Sequence, residues 1–331
     1  MVVVLAFSGQ VTADPAEFYK DKTINLVVPY NTGGGFDRIA RSIARRFEQH
    51  TGASVIVQNV PGANGLIGAN KLYTAQPDGL TIGLLPGTTL ILAAMEDTAG
   101  IRYDFPKYSF IGRVTAEEKV LFVRPDSEYT SFEDIANAEK PVRFGEIGGS
   151  TDTFVFLVGL KHALDLPIEI VPGYEGFHQV ELAVMNGELD AGFAAVGSRY
   201  NRIKSGDLEG LAIFGSANPP MPEYKDLPLL PAGLEPVPGG ERILDSIMAM
   251  NEAHRVVAGP PGIPEDRRDF LEAALLKTLE DPELVNEWRK EAREVSFLGG
   301  KEYREVAEDI FSNTPEALLE AWREEKSKIE Y

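Results

Sequence analysis

Three segments of this chain share one order of features: an apolar run of β type, a loop carrying glycine, then a helical stretch. Residues 24–30 (INLVVPY) lead into Asn31, Thr32, Gly33, Gly34 and Gly35, and then into residues 36–50, where Ile39, Ile43 and Phe47 recur every four positions. Residues 54–60 lead into Pro61, Gly62, Ala63, Asn64 and Gly65 and a helix over 66–75; residues 142–146 lead into residues 147–151 (IGGST) and a helix over 152–164. Apolar residues at spacing four mark a half-buried helix, and strand–loop–helix in repetition predicts a parallel α/β sheet. Further strands are expected at 80–85, 120–123, 168–171, 191–196, 211–214 and 255–258, a helix at 180–186, and mostly helical sequence beyond Pro264. Proline and glycine accumulate over 217–240, which predicts a long surface excursion.

The composition narrows the partners. Of 331 residues, 51 are acidic and 32 basic, a formal charge of −19. Nucleic acid is bound by neutralising phosphates with Lys and Arg, and an anionic membrane surface is approached in the same way, so neither is an expected partner. A hydrophobic share of 44 % supports a packed core, and the length suggests two domains. Cys is absent, which removes thiol chemistry, disulfides and every Cys-bearing metal pattern; the four His (His50, His162, His178, His254) show no paired spacing, so no metal and no cofactor are expected. No apolar run reaches about 18 residues, so no membrane span is expected. Residues 2–7 (VVVLAF) precede the small residues of a cleavage-site pattern, which marks residues 1–13 as the remnant of an export signal, with a first core strand as the alternative.

A loop between a strand and a helix aims unpaired backbone N–H groups and the positive end of the helix dipole beyond the strand ends, a site suited to an anion. Glycine permits close approach, and Thr32, Asn64, Ser150 and Thr151 offer neutral donors. The competing interpretation is capping alone, since Gly, Ser, Thr and Asn are the ordinary residues of such turns. None of the three loops contains Lys or Arg, so the expected site is uncharged. A dinucleotide fingerprint fails because Arg38 stands where its last glycine belongs, and Gly149-Ser150-Thr151 and Gly197-Ser198-Arg199 both fail the hydrolase elbow. Asp37 fits a structural role in the first helical turn. Tyr174, in a loop, is either a core aromatic or a wall for a flat ligand.

The words INLVVPYNTGGGFD (24–37), VQNVPGANGLIGA (57–69), QPDGLTIGLLPGT (76–88), GEIGGSTD (145–152), YEG (174–176), NGELDAGF (186–193) and GLAIF (210–214) resemble, in order, the tripartite tricarboxylate transporter substrate-binding proteins, the Bug family of periplasmic solute-binding proteins. The resemblance implies an α/β fold of the type II periplasmic binding protein kind, two lobes joined by two crossover strands with a ligand cleft between them. The crossovers are expected near 120–123 and 255–258, lobe 1 over 21–122 plus 251–331, and lobe 2 over 123–250. It further implies that a carboxylate is held by Tyr30, Asn31, Thr32, Gly33, Gly34, Ala63, Asn64, Gly65, Gly87 and Thr88 of the first lobe and Ser150, Thr151, Thr153 and Tyr174 of the second.

The expected function is therefore a non-enzymatic, exported, periplasmic and monomeric protein that captures a small organic carboxylate and passes it to membrane permease subunits. A dicarboxylate, a tricarboxylate, an aromatic acid and an amino acid all remain open. Two other readings stand beside this one: an α/β enzyme using His178 or Asp152 as base, and a sensor presenting ligand to a membrane receptor.

Overall fold

A computed structural model describes residues 14–216, 221–291 and 293–329. The expected signal remnant, 1–13, lies outside the described residues. The strands in chain order are β1 (Thr23–Val28), β2 (Ser54–Asn59), β3 (Thr81–Pro86), β4 (Ser109–Thr115), β5 (Lys119–Val123), β6 (Val142–Gly145), β7 (Ile168–Val171), β8 (Gly192–Ala195), β9 (Glu209–Phe214), β10 (Arg255–Gly259) and β11 (Leu298–Gly299).

The first sheet has the order β11-β4-β10-β3-β1-β2. Its β1, β2 and β3 are parallel, in register from Thr23 opposite Ser54 to Val28 opposite Asn59, and β10 runs antiparallel to both β3 and β4. The second sheet is β8-β5-β9, and the parallel pair β6-β7 joins it through a single bridge from Phe144 to Ala191. Helices cover the sheets, which is why β3, β4 and β10 are buried almost along their length.

β4 closes in the first sheet at Thr115 and β5 opens in the second at Lys119, so residues 116–118 cross between the sheets. The return follows helix Gly240–Glu252, which packs on helix Asp152–Leu164 and delivers the chain through Ala253 and His254 to β10. The boundary expected at Phe122 thus falls inside β5, whose residues pair with β8 and β9 of the second sheet. The last helix, Glu316–Ile329, also departs from its expected place in the first lobe, since it lies on helix Asp152–Leu164 of the second. Burial explains this: Trp322 is 1 % exposed and its indole N–H donates to Gly149 O at 2.8 Å, while Lys161 meets Glu325 at 2.7 Å. The proline-rich excursion is anchored too, through the fully buried Tyr224, whose hydroxyl donates to Val196 O at 2.9 Å.

Truncating a buried indole in a site that cannot collapse costs about 3–5 kcal/mol. Trp322→Ala is expected to lower the unfolding free energy by that amount, because it also leaves Gly149 O without its donor; urea unfolding followed by circular dichroism measures the difference.

Candidate functional site

A cleft of about 650 Å³ opens between the sheets. One wall is formed by Tyr30 after β1, by the first turn of helix Gly35–Thr51, and by Thr89 near the start of helix Gly87–Met95. The facing wall is formed by the starts of helices Asp152–Leu164 and Val196–Ser205, presenting Thr151, Asp152, Thr153, Gly197 and Ser198. Helix N-termini therefore face the space from both sides, and in the second wall Thr153 N and Phe154 N are already met by Asp152 Oδ1 at 2.9 Å and Thr151 Oγ1 at 3.1 Å.

The glycine loop of the first wall is braced from behind. Asp37 is 3 % exposed; its Oδ2 accepts from Gly33 N at 2.8 Å and Arg41 Nε at 3.0 Å, and its Oδ1 accepts from Asn59 Nδ2 at 3.0 Å. The Arg41 hydrogen bond, with those from Gly33 and Asn59, draws the carboxyl down to about 2. The structural role expected for Asp37 is what these contacts describe. Tyr30 and Phe36 pack with ring centroids 4.9 Å apart, and the Arg255 guanidinium lies 4.9 Å from the Phe36 centroid.

The floor lies where the two crossovers meet. Glu117 receives Arg255 Nη1 at 2.6 Å on Oε1 and has His254 Nε2 2.8 Å from Oε2. Lys119 Nζ donates to Glu117 O at 3.0 Å and lies 3.0 Å from Asp152 Oδ2, with His254 Nδ1 3.6 Å from that same oxygen. Burial alone would raise the Glu117 carboxyl; Arg255, His254 and Lys119 outweigh it and hold it well below 4.5. Burial also lowers His254. Arg255 is 5 % exposed, yet its Nε has no partner. Arg255 and Arg293 each bring a guanidinium nitrogen 3.9 Å from where a side chain on Gly35 would begin.

Around the cleft stand six cations (Arg38, Lys119, Arg199, Arg255, Lys290, Arg293) against three carboxylates (Glu117, Asp152, Glu291). In a chain of formal charge −19 that local excess of positive charge is concentrated where the helix starts converge. Residues 39–314 match the family described as Tripartite tricarboxylate transporter family receptor. The chain belongs to this family.

Relatives and solved structures agree. The receptor is 27 % identical to protein BugT of Bordetella pertussis over 225 residues, 65 % of this chain and 67 % of that one. A TctC solute-binding protein from Polaromonas, solved without ligand, superposes with a TM-score of 0.74 at 21 % identity, covering 91 % of this chain and 99 % of that one. R. palustris Rpa4515 with adipate gives 0.69 at 20 % identity, covering 91 % and 97 %. The receptor has the type II periplasmic binding protein fold, two α/β lobes with a cleft between them.

Of the residues expected at the site, Tyr30, Asn64, Thr151 and Thr153 line the cleft of the receptor. Asn31 and Thr32 are exposed on the loop, and Gly33 and Gly34 form its turn without lining the cleft. Ala63 opens instead onto a separate groove beside Leu66 and Ile67. Gly65 adopts φ +94° under Pro29, Pro86 and the Tyr30 hydroxyl, a fit that a side chain would strain. Gly87 is held for packing, since a Cβ there would overlap Ala253 O and the Tyr303 hydroxyl, and its amide donates to His254 O at 2.8 Å. The Thr88 hydroxyl is buried on Met250 O, while neither Ser150 nor Tyr174 lines the cleft; the Tyr174 ring packs near Gly145. His178 is exposed and lies off the cleft, 3.6 Å from Glu181.

The expectation of an uncharged site fails, because the cations reach the cleft from outside the three loops. Lys119 and Arg255 are the first residues of β5 and β10, whose starts face the cleft. A signal for them existed: KVLFV and RVVAG each begin with a cation, and EEK and EAHR place acids beside it.

A carboxyl lowered by folding contributes stability above its unfolded value and loses it as pH falls through the folded one. Receptor stability is accordingly expected to decline on acidification below about pH 4.5. Glu117→Gln is expected to be less stable at pH 7 and to show a shallower acid decline, measured as urea midpoints across that range.

Proposed function

We propose that the chain is an extracytoplasmic receptor that captures a small organic carboxylate in the cleft and hands it to the membrane subunits of a tripartite transporter. The observation that carries this reading is the cationic lining of the cleft in a strongly acidic chain. Family membership and the adipate in the R. palustris neighbour support it. No helix among the described residues is long and apolar enough to cross a membrane, which accords with a receptor that works beside its permease.

The carboxylate enters against the first turn of helix Gly35–Thr51, where backbone amides and the guanidinium of Arg255 converge, with Tyr30 and Asn64 shaping that wall. Charge-assisted donors of this kind contribute about twice what neutral ones do. The second wall, with Thr151, Thr153 and Ser198, then closes on the rest of the ligand by rotation about residues 116–118 and 253–254. Capture is thus a hinge motion in which both lobes supply donors.

A ligand at 100 times its dissociation constant stabilises the folded state by about 2.7 kcal/mol. A thermal-shift screen of mono-, di- and tricarboxylates is expected to find acids that raise the melting temperature, and no response to any of them would refute the reading. Arg255→Lys keeps the charge opposite Glu117 but loses the planar fork. It is expected to weaken the best acid by about tenfold in calorimetry, since a hydrogen bond to a charged group contributes about 1.5–3 kcal/mol.

A further inference from the structure

Behind the second wall of the cleft lies a carboxylic acid with no cation to compensate it. Glu146 follows β6 and is fully buried; its Oε2 accepts from Ile147 N at 3.1 Å and stands 3.0 Å from Thr151 Oγ1, while its Oε1 has no partner. Thr151 Oγ1 in turn lies 3.2 Å from Thr153 Oγ1, in a contact where either oxygen can be the donor. Both threonines line the cleft. A buried acid, a linking hydroxyl and a second hydroxyl facing the ligand space therefore form one chain.

The direction of that chain depends on its buried end. An ionised carboxylate only accepts, so Thr151 and Thr153 both turn their hydrogens inward and present lone pairs to the cleft. A protonated Glu146 donates from Oε2 to Thr151 Oγ1, which also accepts from Phe154 N at 3.1 Å; Thr151 then donates to Thr153 or to Gly148 O, 3.2 Å away, and in both cases the Thr153 hydrogen is released toward the cleft. We propose that Glu146 is a positioning residue for the ligand, and that the Thr153 hydroxyl donates to an anionic ligand group only when the Glu146 carboxyl carries its proton. Anion binding then takes up one proton from solvent whenever Glu146 starts ionised.

The surroundings favour the protonated form. Burial raises the Glu146 carboxyl to about 8, against the hydrogen bonds of its own turn, and Asp152 on the adjoining helix raises it further. Lys119 of β5 is turned to Asp152 and Glu117, Lys326 of the last helix meets Glu96 across Gly149, and Tyr174 packs by its ring edge near Gly145. Among the described residues no Lys, Arg or His makes an ion pair with Glu146. His254, on the floor, is lowered and Tyr30, on the first wall, is raised, so neither titrates near Glu146.

This inference rests on the carboxylate-receptor reading, and the test separates the two. Dissociation constants for acetate, malate and adipate are measured by calorimetry on the full chain from pH 6 to 9.5, in buffers of differing ionisation enthalpy. For the acids that bind, affinity is expected to be flat up to about pH 8 and then to fall close to tenfold per pH unit, with close to one proton taken up per ligand at pH 9.5. Glu146→Gln, whose amide donates as the neutral acid does, is expected to bind with a flat profile. Thr153→Val, which keeps the buried acid but removes the donor at the cleft, is expected to bind more weakly and without the alkaline slope. Binding without a slope or proton uptake in the parent chain, or an unchanged slope in either variant, overturns the role of Glu146 and leaves the receptor reading standing. Failure of all three acids, with no response in the wider screen, overturns the receptor reading and this inference with it.

Discussion

The ion network on the cleft floor is the interaction on which the rest of the structure depends. Two chain segments must pass between the lobes, and the polar groups they carry are buried at the crossing. Glu117 of one crossover is met by Arg255 and His254 of the other, and Lys119 joins it to Asp152 of the second lobe. Removing one partner from such a buried set costs about 3–5 kcal/mol because a charge is left unpaired. The network therefore holds the crossovers side by side, and Gly87 N on His254 O ties them to the first helix wall.

The same network resolves the conflict between an acidic chain and an anionic ligand. Surface carboxylates act through water and salt, over a screening length of about 8 Å. The cations of the cleft act at contact distance between low-dielectric walls, where the field of a few charges is concentrated. The surplus of acid describes the outside of the molecule, and Lys119, Arg255 and Arg293 describe the inside of the cleft.

Much of the fold was legible because period and punctuation agreed. The helix over 152–164 and the strand over 168–171 have the expected bounds, and the strand–loop–helix units at 24–50 and 54–75 stand within a few residues of their expected positions. The elements without a clean period are polar or interrupted. β4 contains Gly112 and Arg113, which break the apolar run, yet every residue of it is buried because Arg113 is satisfied by Glu252 and by Ser296 O at 2.9 Å. The site was half legible for a related reason. Glycine loops are local and can be read from sequence, whereas the charged floor is assembled from the starts of β5 and β10, about 135 residues apart in the chain. Glycines at 65 and 87 were conspicuous, but what requires them is packing against Tyr30, Pro86 and Ala253.

The central claim is that an organic acid is held between helix starts by cations of the crossover floor. A crystal structure of the full chain with the acid that stabilises it most tests this directly. One ligand carboxylate is expected within hydrogen-bond distance of the Arg255 guanidinium at the start of helix Gly35–Thr51, with the remainder against Thr153 or Ser198. An acid bound outside the cleft, or inside it with no cation of the floor in contact, would contradict it.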